Sequence, residues 1–153
     1  LLIFTGVAGS AKSGLKQWDI IVPDEVIQYD MDARPLFKRF VLPALKVDRM
    51  KASKKITEWA NNSINKLISS NSIELFKNVY GGLIATGDMF ISDPNKLSEI
   101  KNQFPEVHAV EMEGSAFAQV CFQEKIKWTI VRVISDSADE SASIEFSNFV
   151  TLS

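Results

Sequence analysis

Residues 128–134 (Trp-Thr-Ile-Val-Arg-Val-Ile) are almost wholly apolar and largely β-branched, the pattern of a strand buried on both faces. Such a strand has to lie inside a sheet, and it tolerates charge only where a partner waits. Arg132 inside the run and Ser135-Asp136 at its end are therefore costly placements. The preceding segment carries the complement. Ala109-Val110-Glu111-Met112-Glu113-Gly114 brings two carboxylates to the start of a run of helix formers at 115–126, where Ala116, Val120 and Cys121 recur at spacings of three to four. A strand–helix–strand unit with acidic groups at both chain reversals is an α/β signature. Ligand pockets of open α/β sheets lie at the carboxyl ends of strands, so a site is expected here.

The rest of the chain agrees with that class. Residues 1–4 form a short apolar strand that ends in the glycine turn Thr5-Gly6-Val7-Ala8-Gly9-Ser10, and residues 18–22 and 26–29 read as strands around Pro23-Asp24. Pro35 and Pro43 exclude long regular structure from 30–48, which reads as an irregular arm. The periodicity of 52–69 predicts an amphipathic helix with Ile56, Trp59, Ala60, Ile64, Leu67 and Ile68 on one side. A strand is expected at 79–86. A helix capped by Ser92 or Asp93 follows, with Pro94 in its first turn and its end near Phe104-Pro105. Strand 107–110, helix 113–126 and strand 128–134 complete an alternation that predicts parallel strands with right-handed crossovers.

Composition excludes several function classes. With 17 basic and 19 acidic residues, nothing points to nucleic acid as a partner. One cysteine, Cys121, cannot form an intramolecular disulfide and suits a reducing, cytoplasmic compartment. With one histidine and one cysteine a metal site has few ligands to draw on, so neither metal nor cofactor is expected. No apolar run is long enough for a membrane span.

Glu111-Met112-Glu113 followed by Arg132-x-Ile134-Ser135-Asp136-x-Ala138-Asp139 resembles the 5′-methylthioadenosine/S-adenosylhomocysteine nucleosidases of the nucleoside phosphorylase superfamily. Three further segments are similar in the same order: Phe4–Gly9, Trp18–Glu25 and Gly82–Ile91. The resemblance implies one nucleosidase domain over 1–153, a three-layer α/β/α sandwich around a mixed, largely parallel sheet with strands 1–4, 79–86, 107–110 and 128–134 in its interior. It also implies further sheet before Leu1 and a closing helix after Ser153, so that the domain is incomplete at both ends. A homodimer with a shared pocket is expected, the apolar but irregular segment Pro35-Leu36-Phe37 to Leu42-Pro43 being the donor.

The same resemblance assigns roles. Asp136 would protonate the purine N7 as the glycosidic bond breaks; read from the residues alone, a helix cap by Ser135 or Asp136 is the favoured reading. Glu113 would grip the ribose hydroxyls, or else serve as a first-turn acid that complements the helix dipole. Met112 would face the ribose, or be an ordinary core methionine. Glu111 would support the purine side or pair with Arg132, with Ser135 and Arg132 completing the strand end. Phe90 would stack on adenine, the Ile91 backbone would read its edge, and Phe146 would cover it. Ala8 and Gly9 would line the sugar. Related phosphorylases bind phosphate with an arginine and a hydroxyl residue where this chain has Phe4 and Val7, and an apolar lining cannot offset a buried dianion. Water is then the expected nucleophile, its activating glutamate lying outside this chain. A phosphorylase, another nucleosidase of the superfamily and an adenine-binding fragment without catalysis stay open as alternatives.

Overall fold

The computed structural model describes residues 1–152, and its frame is an eight-stranded mixed sheet. In chain order the elements are β1 (Leu2–Ser10), β2 (Ile20–Ile21), β3 (Glu25–Gln28), β4 (Arg49–Lys51), α1 (Lys54–Ser69), β5 (Val79–Tyr80), β6 (Leu83–Thr86), α2 (Pro94–Gln103), β7 (Val107–Glu111), α3 (Gly114–Gln123), β8 (Trp128–Asp136) and α4 (Ala142–Leu152). Across the sheet the order is β4-β3-β6-β7-β1-β8-β2-β5.

Alternation along each strand explains the layers. On β8, Ile130 and Ile134 pack with Ala118 and Cys121 of α3, whereas Val131 and Val133 pack with Ala60 and Ile64 of α1 on the other face. On β6, Ile84 joins the α3 side while Leu83 and Ala85 join Ile100 of α2. α3 thus covers one face and α1 and α2 cover the other, the expected three-layer sandwich, with α4 packed against β8. Each fully buried aliphatic side chain contributes roughly 1.5–3 kcal/mol, and Ile130 and Ile134, with the partly buried Val131 and Val133, hold β8 in the sheet interior.

Several elements differ from expectation, each for a local reason. The residues read as a glycine turn at 5–10 are strand, because β1 continues through them in parallel pairing with β8 from Leu2↔Trp128 to Ala8↔Ile134. The strand expected at 79–86 breaks at Gly81-Gly82, where Gly82 takes φ 112°. Its first half, β5, lies at the sheet edge beside β2, and only β6 is interior. β7 and β8 were expected to run parallel. Instead β1 inserts between them, parallel to β8 and antiparallel to β7. The buried stripe of α3 is Gly114, Ser115, Ala118 and Cys121, so Ala116 and Val120 face outward, Val120 at 56% exposure. On α1 the sheet covers a stripe through Thr57 and Ala60; Trp59, roughly 200° round the helix from Thr57, is exposed, as is Leu67. α2 agrees closely, with Asp93 capping the Asn95 amide and Pro94 in the first turn.

The arm at 30–48 divides in two. Leu42 is buried in the α3-side core and Phe40 meets Phe104 edge-on at 4.8 Å, whereas Leu36 is 84% exposed. Among the described residues no helix is long and apolar enough to cross a membrane.

Candidate active site

The topology brings three strand ends to one point. Gly9, near the end of β1, pairs with Val110 of β7 on one side and Asp136 of β8 on the other. β1 and β7 are antiparallel and overlap only where Gly9 and Ser10 meet Val110 and Ala109, and β1 runs parallel to β8, so the carboxyl ends of all three strands meet there. A cavity of about 450 Å³ opens over the junction. β1 lines it with Val7, Ala8 and Gly9, the β7–α3 connection with Glu111, Met112 and Glu113, β8 with Ser135 and Asp136, and α4 with Ser143, Phe146 and Ser147.

Beneath the cavity lies a buried ion pair. Arg132 and Glu111 are each 2% exposed at the side chain, and Arg132 Nε and Nη2 donate to Glu111 Oε2 at 3.1 and 2.5 Å. Glu111 also accepts the Thr86 hydroxyl at 2.5 Å and the amides of Glu113 at 3.2 Å and Gly114 at 2.8 Å. A carboxylate so fully engaged caps α3 from the strand before it and has little capacity left for a ligand. The guanidinium lies 4.4 Å above the Phe4 ring, and a Cβ on Gly6 would collide with its Nη1. The glycine at position 6 is therefore a matter of space for the arginine. Arg132 itself is outside the cavity lining, and so is Phe4, which stacks on Phe117 at 4.8 Å. Of the two apolar residues expected in place of a phosphate clamp, only Val7 faces the cavity.

Asp136 is 4% exposed and lines the cavity wall. Burial pushes its carboxyl above the usual range, helped by the nearby charges of Glu145 and Asp139 and opposed by hydrogen bonds from the Ser135 hydroxyl and the Ala138 amide. Those bonds measure 2.8 Å to Oδ2 and 2.9 Å to Oδ1. α4 begins at Ala142, so Asp136 is not its cap. Burial thus favours the protonated form of Asp136, at the wall of the cavity, more than it would be favoured in an exposed carboxyl.

Glu113 sits opposite in character. Its side chain is 62% exposed, touches Arg132 Nη2 at 3.4 Å, and makes no cap hydrogen bond although the residue is the N-cap of α3. Its carboxylate, held on one side by Arg132, lines the cavity. Phe90 and Phe146 meet edge to face across the mouth, with centroids 6.2 Å apart. Phe90 and Met112 are 44% and 40% exposed, so Met112 is not a core methionine. Ile91 is buried and lines a small annex of about 30 Å³ that shares Gly9, Phe90 and Asp136 with the main cavity. The sequence reasoning missed Ser143 and Ser147, although their positions three before and one after Phe146 on a helix could have revealed them. It also missed the support that Thr86 and Gly6 give. Among the described residues no group of three His, Cys, Asp or Glu side chains could hold a metal ion. The arrangement suits a flat ligand that stacks on aromatic rings, takes a proton from Asp136 and offers hydroxyls to Glu113.

Comparison with known proteins gives the family. Residues 1–153 match the family described as the phosphorylase superfamily. The chain belongs to the phosphorylase superfamily. It is 38% identical over 153 residues to a 5′-methylthioadenosine/S-adenosylhomocysteine nucleosidase of Haemophilus influenzae (strain PittEE), covering 99% of this chain and 63% of that one. A nucleosidase of the same description from Geobacillus kaustophilus is 34% identical, with 97% and 60% covered. The chain thus spans 60–63% of the length of these curated relatives. Among solved structures, the Neisseria meningitidis nucleosidase in complex with methylthio-immucillin-A superposes with a TM-score of 0.83 at 34% identity, covering 96% of this chain and 61% of that one. The Colwellia psychrerythraea nucleosidase in complex with adenine gives 0.85 at 32% identity, covering 96% and 58%.

Proposed function

We propose that the complete protein hydrolyses the N-glycosidic bond of 5′-methylthioadenosine and S-adenosylhomocysteine, releasing adenine and a thioribose product. The observation that carries this is Asp136, a buried carboxyl with a raised pKa at the wall of a cavity also lined by two aromatic rings. Relatives of this description cover nearly the whole chain, and one of the similar structures holds adenine.

Adenine is a poor leaving group until N7 is protonated, and Asp136 supplies that proton as the bond breaks. Positive charge then develops on the ribose, where the Glu113 carboxylate binds the hydroxyls and offsets it. Phe90 stacks on the base, the Ile91 backbone reads its edge, Phe146 covers it, and Met112 lies against the sugar with Ala8 and Gly9. Val7 presents methyl groups where phosphate would require a donor, which favours water as the nucleophile. No residue among 1–153 is assigned to activating that water. The exposed Leu36 supports a homodimer in which the arm completes a partner's pocket, and the single buried thiol of Cys121 suits the cytoplasm.

The test is adenine release from methylthioadenosine by the intact protein with and without phosphate. Release at the same rate in phosphate-free buffer, with a reducing sugar as co-product, is expected. Dependence on phosphate with a sugar 1-phosphate as product would establish a phosphorylase instead.

A further inference from the structure

The residue preceding Phe146 on α4 links the helix to the turn that follows Asp136. Glu145 stands in the first turn of α4 and is half-buried. Its Oε1 accepts the Ser141 hydroxyl at 2.8 Å, an ordinary arrangement at a helix start. Its Oε2 accepts the backbone amide of Ser137 at 2.8 Å, which lies eight residues back and outside the helix. Ser137 is the residue immediately after Asp136. The side chain therefore joins two pieces of chain that meet the cavity separately: the strand end with the acid, and the helix with the covering aromatic ring.

The turn between them needs holding. Ala138 has φ 50°, a left-handed conformation that an L-residue keeps only when its surroundings enforce it. Two carboxylates do so from either side, Asp136 Oδ1 on the Ala138 amide and Glu145 Oε2 on the Ser137 amide. Gln17 ties the same junction a third way, donating to Ser135 O at 2.8 Å and Glu145 O at 3.3 Å.

We propose that Glu145 is a positioning residue that latches α4, and with it Phe146, onto the turn carrying Asp136. This rests on the assignment of Asp136 as the proton donor. The charged groups acting on Asp136 are Asp139 from the turn and Glu145 from α4; Glu111 and Glu113 line the same cavity and are paired with Arg132, and β1 contributes only the uncharged Val7, Ala8 and Gly9. Burial raises the Asp136 pKa, the Ser135 and Ala138 hydrogen bonds oppose it, and the Glu145 and Asp139 charges add smaller raising contributions. Removing the Glu145 charge therefore favours the ionised form of Asp136. Covering the base and loading the acid are then coupled through one side chain.

The test uses the intact protein and the variants Glu145→Gln, Glu145→Ala and Glu145→Asp, read by the pH profile of kcat, by KM, and by amide exchange across 137–147. Glu145→Gln removes the charge and keeps an acceptor, so the alkaline limb of the kcat profile should move to lower pH with little change in KM. Glu145→Ala should move the limb in the same direction, raise KM roughly tenfold through loss of the charge-assisted bonds, and speed exchange at Ser137–Ser141. Glu145→Asp should restore part of the limb. An unmoved limb with unchanged KM in Glu145→Ala would overturn the proposal, and so would a lowered melting temperature as the sole effect. Should the wild-type protein release no adenine, the nucleosidase assignment fails, and exchange at Ser137–Ser141 with and without bound adenine still decides whether the latch exists.

Discussion

Replacing Arg132 by methionine removes the charge beneath the cavity while keeping an apolar stem over Phe4. In the wild-type structure this guanidinium gives two hydrogen bonds to Glu111, at 3.1 and 2.5 Å, and both side chains are 2% exposed. Taking away one member of such a pair leaves an uncompensated buried charge, which costs about 3–5 kcal/mol. Glu111 would retain the Thr86 hydroxyl and the Glu113 and Gly114 amides, so the lower end of that range is expected. Against a typical total of about 5–15 kcal/mol, that is a large fraction of the stability. The second variant, Glu111→Gln with Arg132→Met, removes the stranded charge and keeps an acceptor for the Gly114 amide. It should therefore be more stable than the sum of the single changes predicts, with a coupling of about 0.5–3 kcal/mol. Urea unfolding of the intact protein, followed by fluorescence of the buried Trp128, measures all four members of the cycle. A cost below about 1 kcal/mol for Arg132→Met, or strict additivity in the cycle, would refute the view that Glu111 is held as a charge and not as a neutral cap.

Three further outcomes are expected. Asp136→Asn should lower turnover by at least about 10²-fold while substrate still binds, whereas Glu113→Gln should harm both KM and kcat; steady-state kinetics beside melting temperatures separates the two. The folded state raises the Asp136 pKa and so binds its proton more tightly than the unfolded chain, which means that this group's contribution to stability falls as pH rises from the ordinary carboxylate range through the folded-state pKa. Asp136→Asn should flatten that part of the stability profile, as thermal melts across pH would show. Finally, a Cβ at position 9 would lie 2.8 Å from Asp136 Oδ1 and 2.9 Å from the Ala138 Cβ, so Gly9→Ala should displace the acid and cost as much as ~10²-fold in kcat with only a modest change in melting temperature.

The sequence by itself determined where the strongest buried strand would lie and where charge would have to be answered. β8 is legible because positions 128–134 are largely β-branched and, except at Thr129 and Arg132, apolar, and a buried arginine demands a carboxylate. Asp93-Pro94 marks the start of α2 because capping chemistry is local. The acids of 109–113 and the Ser-Asp pair were visible for the same reason, since their cost comes from their immediate neighbours. What pairs with what was decided by the tertiary structure. Glu111 and Glu113 are two residues apart and chemically alike, yet one is consumed by Arg132, Thr86 and two amides while the other stays exposed at the cavity. Periodicity could not tell which side of α3 or α1 faces the sheet, because Val120 and Trp59 are as apolar as the residues that are covered. Nor could it show that β1 slips between β7 and β8, since strand order depends on long-range pairing that no local window contains. That insertion reverses the strand direction at Gly9 and gathers three carboxyl ends around one cavity. The chemistry of Asp136 comes from its residue type; the burial that raises its pKa comes from the fold.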